Sequence, residues 1–174
     1  KSKVAVQDIH KFYSELSGND ILDFQGNLNG PLNNFNLSEF NLSSRSGIKV
    51  EGNLTFVNAI AKERGFIFDG NLTNLTATYK DLKNILPNVL GKNLPTEFDK
   101  FGEFTLKGKV RVTPDQMQAT ITINSEIGSS IADLQITNIG DIDYAKYDGE
   151  IELNNFDLGY FFNDPLFIFK IFAG

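Results

Sequence analysis

The sequence predicts a mainly β protein: an elongated antiparallel sheet curled into a U-shaped trough, built of repeats, with two or three short helices. Three observations lead there. Long stretches alternate apolar and polar residues with a period of two, the pattern of an antiparallel sheet wet on one face. Turn-forming clusters (GPLNN, SRSG, TPDQ, NSEIGSS) separate those stretches. The pattern also recurs. QDIHKFY, KDLKNIL and FDLGYFF share an Asp, then Ile or Leu, then two residues, then two large apolar ones, with the Asp at Asp8, Asp81 and Asp157.

The elements follow in order. Asp8 to about Leu16 reads as a short amphipathic helix, with Ile9, Phe12, Tyr13 and Leu16 at spacings of three and four. Strands are expected at about 21–30, 34–44, 47–57 and 65–79. In the third of these, Ile48, Val50, Leu54 and Phe56 share a face, with Lys49, Glu51, Asn53 and Thr55 opposite. A second helix runs from Lys80 to about Leu90 on Leu82, Ile85, Leu86 and Val89; Gly91 stops it and Pro95 lies beyond. Four more strands fall at about 103–113, 116–124, 130–138 and 143–156. Met117, Ala119, Ile121 and Ile123 form one face there, and Gln118, Thr120, Thr122 and Asn124 the other. A third helix begins near Asp157.

FQGNL from Phe24 matches LKGKV from Leu106, and FDGNL from Phe68 matches YDGEI from Tyr147. The division is therefore residues 1–80, a first β-repeat with a short N-terminal helix; 81–156, a second opened by a short helix; and 157–174, the truncated start of a third. A start at Lys1 and the Phe-rich end LFIFKIFAG read as boundaries inside a longer protein.

Eight strands would present more apolar surface than three short helices, each roughly 15 Å long, can blanket. The sheet must close into a barrel or curl so that its halves face each other. Repeats favour the trough, since each copy can add four strands, about 19 Å. Five glycines, Gly26, Gly52, Gly70, Gly108 and Gly149, occupy apolar-face positions where the alternation asks for a bulky side chain. Glycine at such a place marks a bend, a bulge or a close approach. The five are expected to align near a crease where the sheet folds over.

Catalytic chemistry is not expected, and no cofactor or metal is. His10 is the sole histidine, on a short helix, where a solvated or capping role suits it. Asp141, Asp143, Asp148, Glu150 and Glu152 cluster in sequence, but on strands and their turn rather than in the alternating loop of a calcium hand. Sequons at Asn36, Asn41, Asn53, Asn71 and Asn74 fall on polar strand faces, as expected by chance in an Asn-, Ser- and Thr-rich chain. There is no cysteine. A net charge of −6 over 174 residues disfavours nucleic acid and electrostatic docking to anionic headgroups. No run of about 18 apolar residues suggests a membrane helix.

The ordered set FQGNLNGPLNNF, FNLSEFNL, IKVEGNLTF, FGEFTLKGKV and NNFDLGYF resembles the repeats of the TamB family, AsmA-like proteins of Gram-negative bacteria. The Asn-rich, Lys-over-Arg composition is similar to Bacteroidota members, and the resemblance spans nearly the whole chain. It implies an internal fragment of a long β-taco in the periplasm, anchored in the inner membrane and reaching the outer membrane. It also implies phospholipid as the transported ligand, and a BamA-like outer-membrane barrel protein as partner. On that basis the groove would be lined by Phe24, Leu28, Ile48, Val50, Leu54, Phe56, Phe66, Phe68, Leu72, Leu106, Val110, Ile121, Ile123, Tyr147 and Ile151. The crease glycines would then also leave width for an acyl chain. The alternative expectation is an assembly module or chaperone that pairs outer-membrane strands along its sheet edges.

Overall fold

A computed structural model describes residues 2–10, 20–85 and 96–163. They form one nine-stranded antiparallel sheet in which every strand pairs with its neighbours in sequence. The strands are β1 (Ser2–Ala5), β2 (Ile21–Asn29), β3 (Asn34–Ser44), β4 (Lys49–Val57), β5 (Ile67–Thr78), β6 (Glu103–Val112), β7 (Gln116–Ser125), β8 (Gly128–Thr137) and β9 (Lys146–Asn154). β1 pairs only with β2 and β9 only with β8, so the sheet is open and the barrel is excluded for the described residues.

The eight expected strands are present, each within about three residues of its expected ends. β1 was not expected; four residues are too few to show a period of two. Helix α1 spans Val6–His10, two residues earlier than the pattern suggests, and its expected continuation lies outside the described residues. Helix α2 spans Tyr79–Ile85, and its expected end, with Gly91 and Pro95, is likewise outside. Helix α3 spans Leu158–Phe162, where the Asp157 carboxylate accepts from the Tyr160 N–H at 2.8 Å. A 3-10 helix, Thr96–Phe101, leads into β6.

A meander sends alternate connections to opposite ends of the sheet. The three α-helices and the 3-10 helix Thr96–Phe101 all fall at one end, and the buried core sits beneath them, while the short 3-10 helices Lys62–Arg64 and Ile142–Tyr144 lie at the other. It comprises Val6, Leu22, Ile48, Ala77, Phe101, Phe104, Ile127 and Phe156. Phe101 is its hub, with ring centroids of Phe98, Phe161, Phe156 and Phe104 at 5.0, 5.6, 6.0 and 6.1 Å. Phe104 and Phe156 meet it edge to face, which adds about 1 kcal/mol per pair to the burial of the rings. Lys100 ties α3 into this cluster. Its Nζ donates to the carbonyls of Tyr160 (2.6 Å) and Phe161 (2.8 Å) and to Asn163 Oδ1 (2.7 Å), so the helix C-terminus gains a cation and partners for its free acceptors.

Two strands carry an extra residue. On β3, Leu37 pairs with Leu54 but Phe40 pairs with Gly52, so Ser38 and Glu39 bulge against one β4 residue. On β5, Leu72 pairs with Gly108 but Leu75 with Leu106, so Thr73 and Asn74 bulge. Glu39 adopts φ of 52°, and two polar-face side chains hold it there. Asn53 Oδ1 accepts from its N–H at 3.1 Å, and Asn27 Nδ2 donates to its carboxylate at 2.9 Å.

Candidate functional site: the apolar face of the sheet

The strand registers arrange the apolar face into rows that cross the sheet at right angles to the strands. The first row beyond the buried cluster runs Phe24, Leu42, Val50, Leu75, Leu106, Ile123, Ser130, Leu153. Val50, Leu106 and Ile123 pack on the buried cluster, and Ile48, 3% exposed, belongs to that cluster itself rather than to open surface. The second row is Phe40, Gly52, Leu72, Gly108, Ile121, Ala132, Ile151. The third is Leu28, Leu37, Leu54, Gly70, Val110, Ala119, Leu134, Gly149. The fourth is Phe35, Phe56, Phe68, Val112, Met117, Ile136, Tyr147. Rows two to four contain no charged residue. Phe66 lies just before β5 and outside the rows, with Lys62 Nζ 6.0 Å from its ring.

The rows bring together residues the sequence pattern did not single out. Phe35, Leu37, Phe40, Leu42, Leu75 and Leu134 are among them, with Val112, Ala132, Ile136 and Leu153. Phe40 and Leu75 drop out of a strict alternation because each follows a bulge. The signal was present: apolar residues spaced by three inside a strand, Leu37 to Phe40 and Leu72 to Leu75. Phe35 stacks on Phe56 (4.7 Å), which tilts against Phe68 (5.2 Å), an aromatic strip across β3 to β5.

The five glycines fall in two adjacent rows. Gly52 and Gly108 are in the second row, and Gly26 abuts the same row, where a Cβ would stand 3.3 Å from the Phe40 Cα. Gly70 and Gly149 are in the third. Their local causes differ. Gly108 and Gly149 have φ of 141°, and a Cβ on either would fall onto a neighbouring-strand carbonyl, of Thr120 and of Asp133. Gly52 faces the Asn71 carbonyl equally closely. At Gly70 the occupant is instead the Phe68 ring, 2.9 Å from where a Cβ would be.

The described helices contact one another and the strand ends beside them, leaving rows two to four without a helical lid among the described residues. Leu28, Ile151 and Tyr147 are 57%, 60% and 69% exposed, while Phe40 and Ala119 are buried. The polar face is knit by its own side chains. Arg111 donates to both carboxylate oxygens of Asp69 at 2.8 and 2.9 Å, Thr55 donates to Asn36 at 2.8 Å, and Asn41 to Glu51 at 3.3 Å. The sequon Asn residues thus lie inside paired strands. A twisted sheet is saddle-shaped, hollow along one diagonal of each face. On the polar side this gives shallow hollows of about 370 and 610 Å³, walled by Asn71, Lys109, Thr120 and their neighbours.

Among the described residues no three His, Cys, Asp or Glu side chains converge as metal ligands, and no helix is long and apolar enough to cross a membrane. Asp148, Glu150 and Glu152 alternate along β9, while Asp141 precedes and Asp143 lies within the 3-10 helix Ile142–Tyr144 ahead of it. The side chain of His10 lies outside the described residues. No family model matches the chain, and no curated protein or solved structure matches it either.

Proposed function

We propose that this chain is a segment of a bridge-like lipid carrier of the TamB type, with phospholipid acyl chains lying along the apolar rows. The observation that carries this reading is that rows two to four cross β3 to β9 with no charged side chain. From β2 to β9 the third row runs about 34 Å, at ~4.8 Å per strand spacing. An acyl chain on it gains roughly 25 cal/mol for each Å² of apolar surface removed from water, with no nucleophile or cofactor required. In this reading the four-strand units are repeats and the sheet curls around the lipid into a U-shaped trough. The setting is the periplasm between two membranes, and the outer-membrane end meets a barrel protein.

The test is lipid occupancy. Solvent extracts of the purified protein, read by mass spectrometry, are expected to contain phospholipid. Leu54→Asp and Ile121→Asp are expected to lower it at least tenfold with unchanged circular dichroism; roughly 2–3 kcal/mol of lost apolar contact suffices for that. A lipid-free wild type, or charged rows that hold as much lipid, overturns the reading.

A further inference from the structure

The last strand of the sheet is the least protected. Protein sheets blunt their edges with short strands, lysines, prolines or bulges. β1 follows that rule, at four residues. β9 follows it only through its charges, Lys146, Asp148, Glu150 and Glu152: it is nine residues long, has no proline, pairs with β8 without a register shift, and has no partner on its other side among the described residues. Tyr147 and Ile151 stand 69% and 60% exposed on its apolar side, continuing the apolar rows to the rim. Among the described residues nothing extends the ladder beyond its outer N–H and C=O groups.

The charges beside this edge select what can pair with it. Asp148, Glu150 and Glu152 alternate on the polar side of β9, and Glu150 stands directly across from Asp133 on β8. Like charges in that position repel. Apart from Lys146 at the start of β9, the polar faces of β7, β8 and β9 carry no cation. The interior of the same sheet solves the same problem: β5 presents Asp69, and the next strand answers with Arg111, whose Nη1 donates to both carboxylate oxygens. The registers place Asp148 in the row of Asp69 and Arg111. A strand added at this edge would therefore set a cation opposite Asp148 and another opposite Glu150.

We infer that the β9 edge is a docking site for an extended polypeptide segment in which lysine or arginine alternates with apolar residues, added antiparallel with a cation opposite Asp148. Tyr147 and Ile151 also end the apolar rows, but the pairing uses the backbone edge and the opposite, acidic face of β9, so it is tested without reference to lipid.

The probe is a fluorescent peptide with the sequence of β6, Glu103–Val112, whose alternation fits the requirement. Binding is read by anisotropy against the whole chain. The peptide is expected to bind at least tenfold tighter than a version with glutamate in place of its three cations, and the gap is expected to narrow in high salt. In the chain variant D148K/E150K, checked for native circular dichroism, the preference is expected to reverse. A cationic peptide N-methylated on its edge-facing amides is expected not to bind. Equal binding of both peptides, no binding of either, or full binding of the N-methylated form overturns the proposal.

Discussion

Asp20, just ahead of β2, fastens the turn between β3 and β4 from outside it. Its carboxylate accepts from the backbone of Ile21 (2.8 Å), Arg45 (3.2 Å) and Ser46 (3.3 Å), and from the Ser46 hydroxyl (2.8 Å). Burial alone would raise its pKa. The Ser46 hydroxyl and the three N–H groups outweigh that and hold it below the ordinary 3.8. A depressed folded-state pKa contributes stability that is present above the unfolded value and lost as pH falls through the folded one. Asp20→Asn is therefore expected to cost about 1 kcal/mol at neutral pH. Urea midpoints should show the gap between wild type and variant closing below about pH 4. Among the glycines the same technique should separate backbone need from space. Gly108→Ala, at φ of 141° against a carbonyl, is expected to cost about 2 kcal/mol. Gly26→Ala, with no positive φ and 3.3 Å to the nearest atom, is expected to cost well under 1 kcal/mol.

At the scale of elements, the strands were readable because alternation and turn chemistry are local. IKVEGNLTF and MQATITI fix their own faces, and SRSG and TPDQ mark where the chain reverses. The bulges were less readable, since a period slip of one residue looks like the end of a pattern until the partner strand shows that pairing resumes. The position of the core was not readable. It depends on which connections share an end of the sheet, a property of topology rather than of any segment. That end is held by Phe101 and Lys100. Phe101→Ala is expected to destabilise by about 3–5 kcal/mol, through the cavity left among four other rings. Lys100→Met removes the bonds at the end of α3 while keeping the aliphatic stem. Hydrogen exchange of the α3 amides is expected to quicken about tenfold, with β7 unchanged.

For the molecule as a whole, the row pattern ties function to curvature. Leu28 and Ile151 lie near opposite rims, seven strand spacings apart. Along a flat sheet that is about 34 Å. Spin labels at Leu28→Cys and Ile151→Cys, read by electron–electron resonance, are expected to report a clearly shorter distance if the sheet folds over as proposed; the flat-sheet value would sink the trough. The candidate lining was legible in the sequence wherever strict alternation held, as at Leu54, Phe56 and Ile121. The lateral order of those residues was not, because it is written in the strand registers.

The uninterrupted meander also has a mechanical consequence. With β1 and β9 at opposite edges, tension applied between them acts across the strands, and it loads the ladder one hairpin at a time rather than shearing many hydrogen bonds together. Such a sheet peels, yielding in small steps at low force and re-zipping by neighbour contacts when released. A protein tethered at both ends would gain compliance from this, lengthening under strain without losing every row at once.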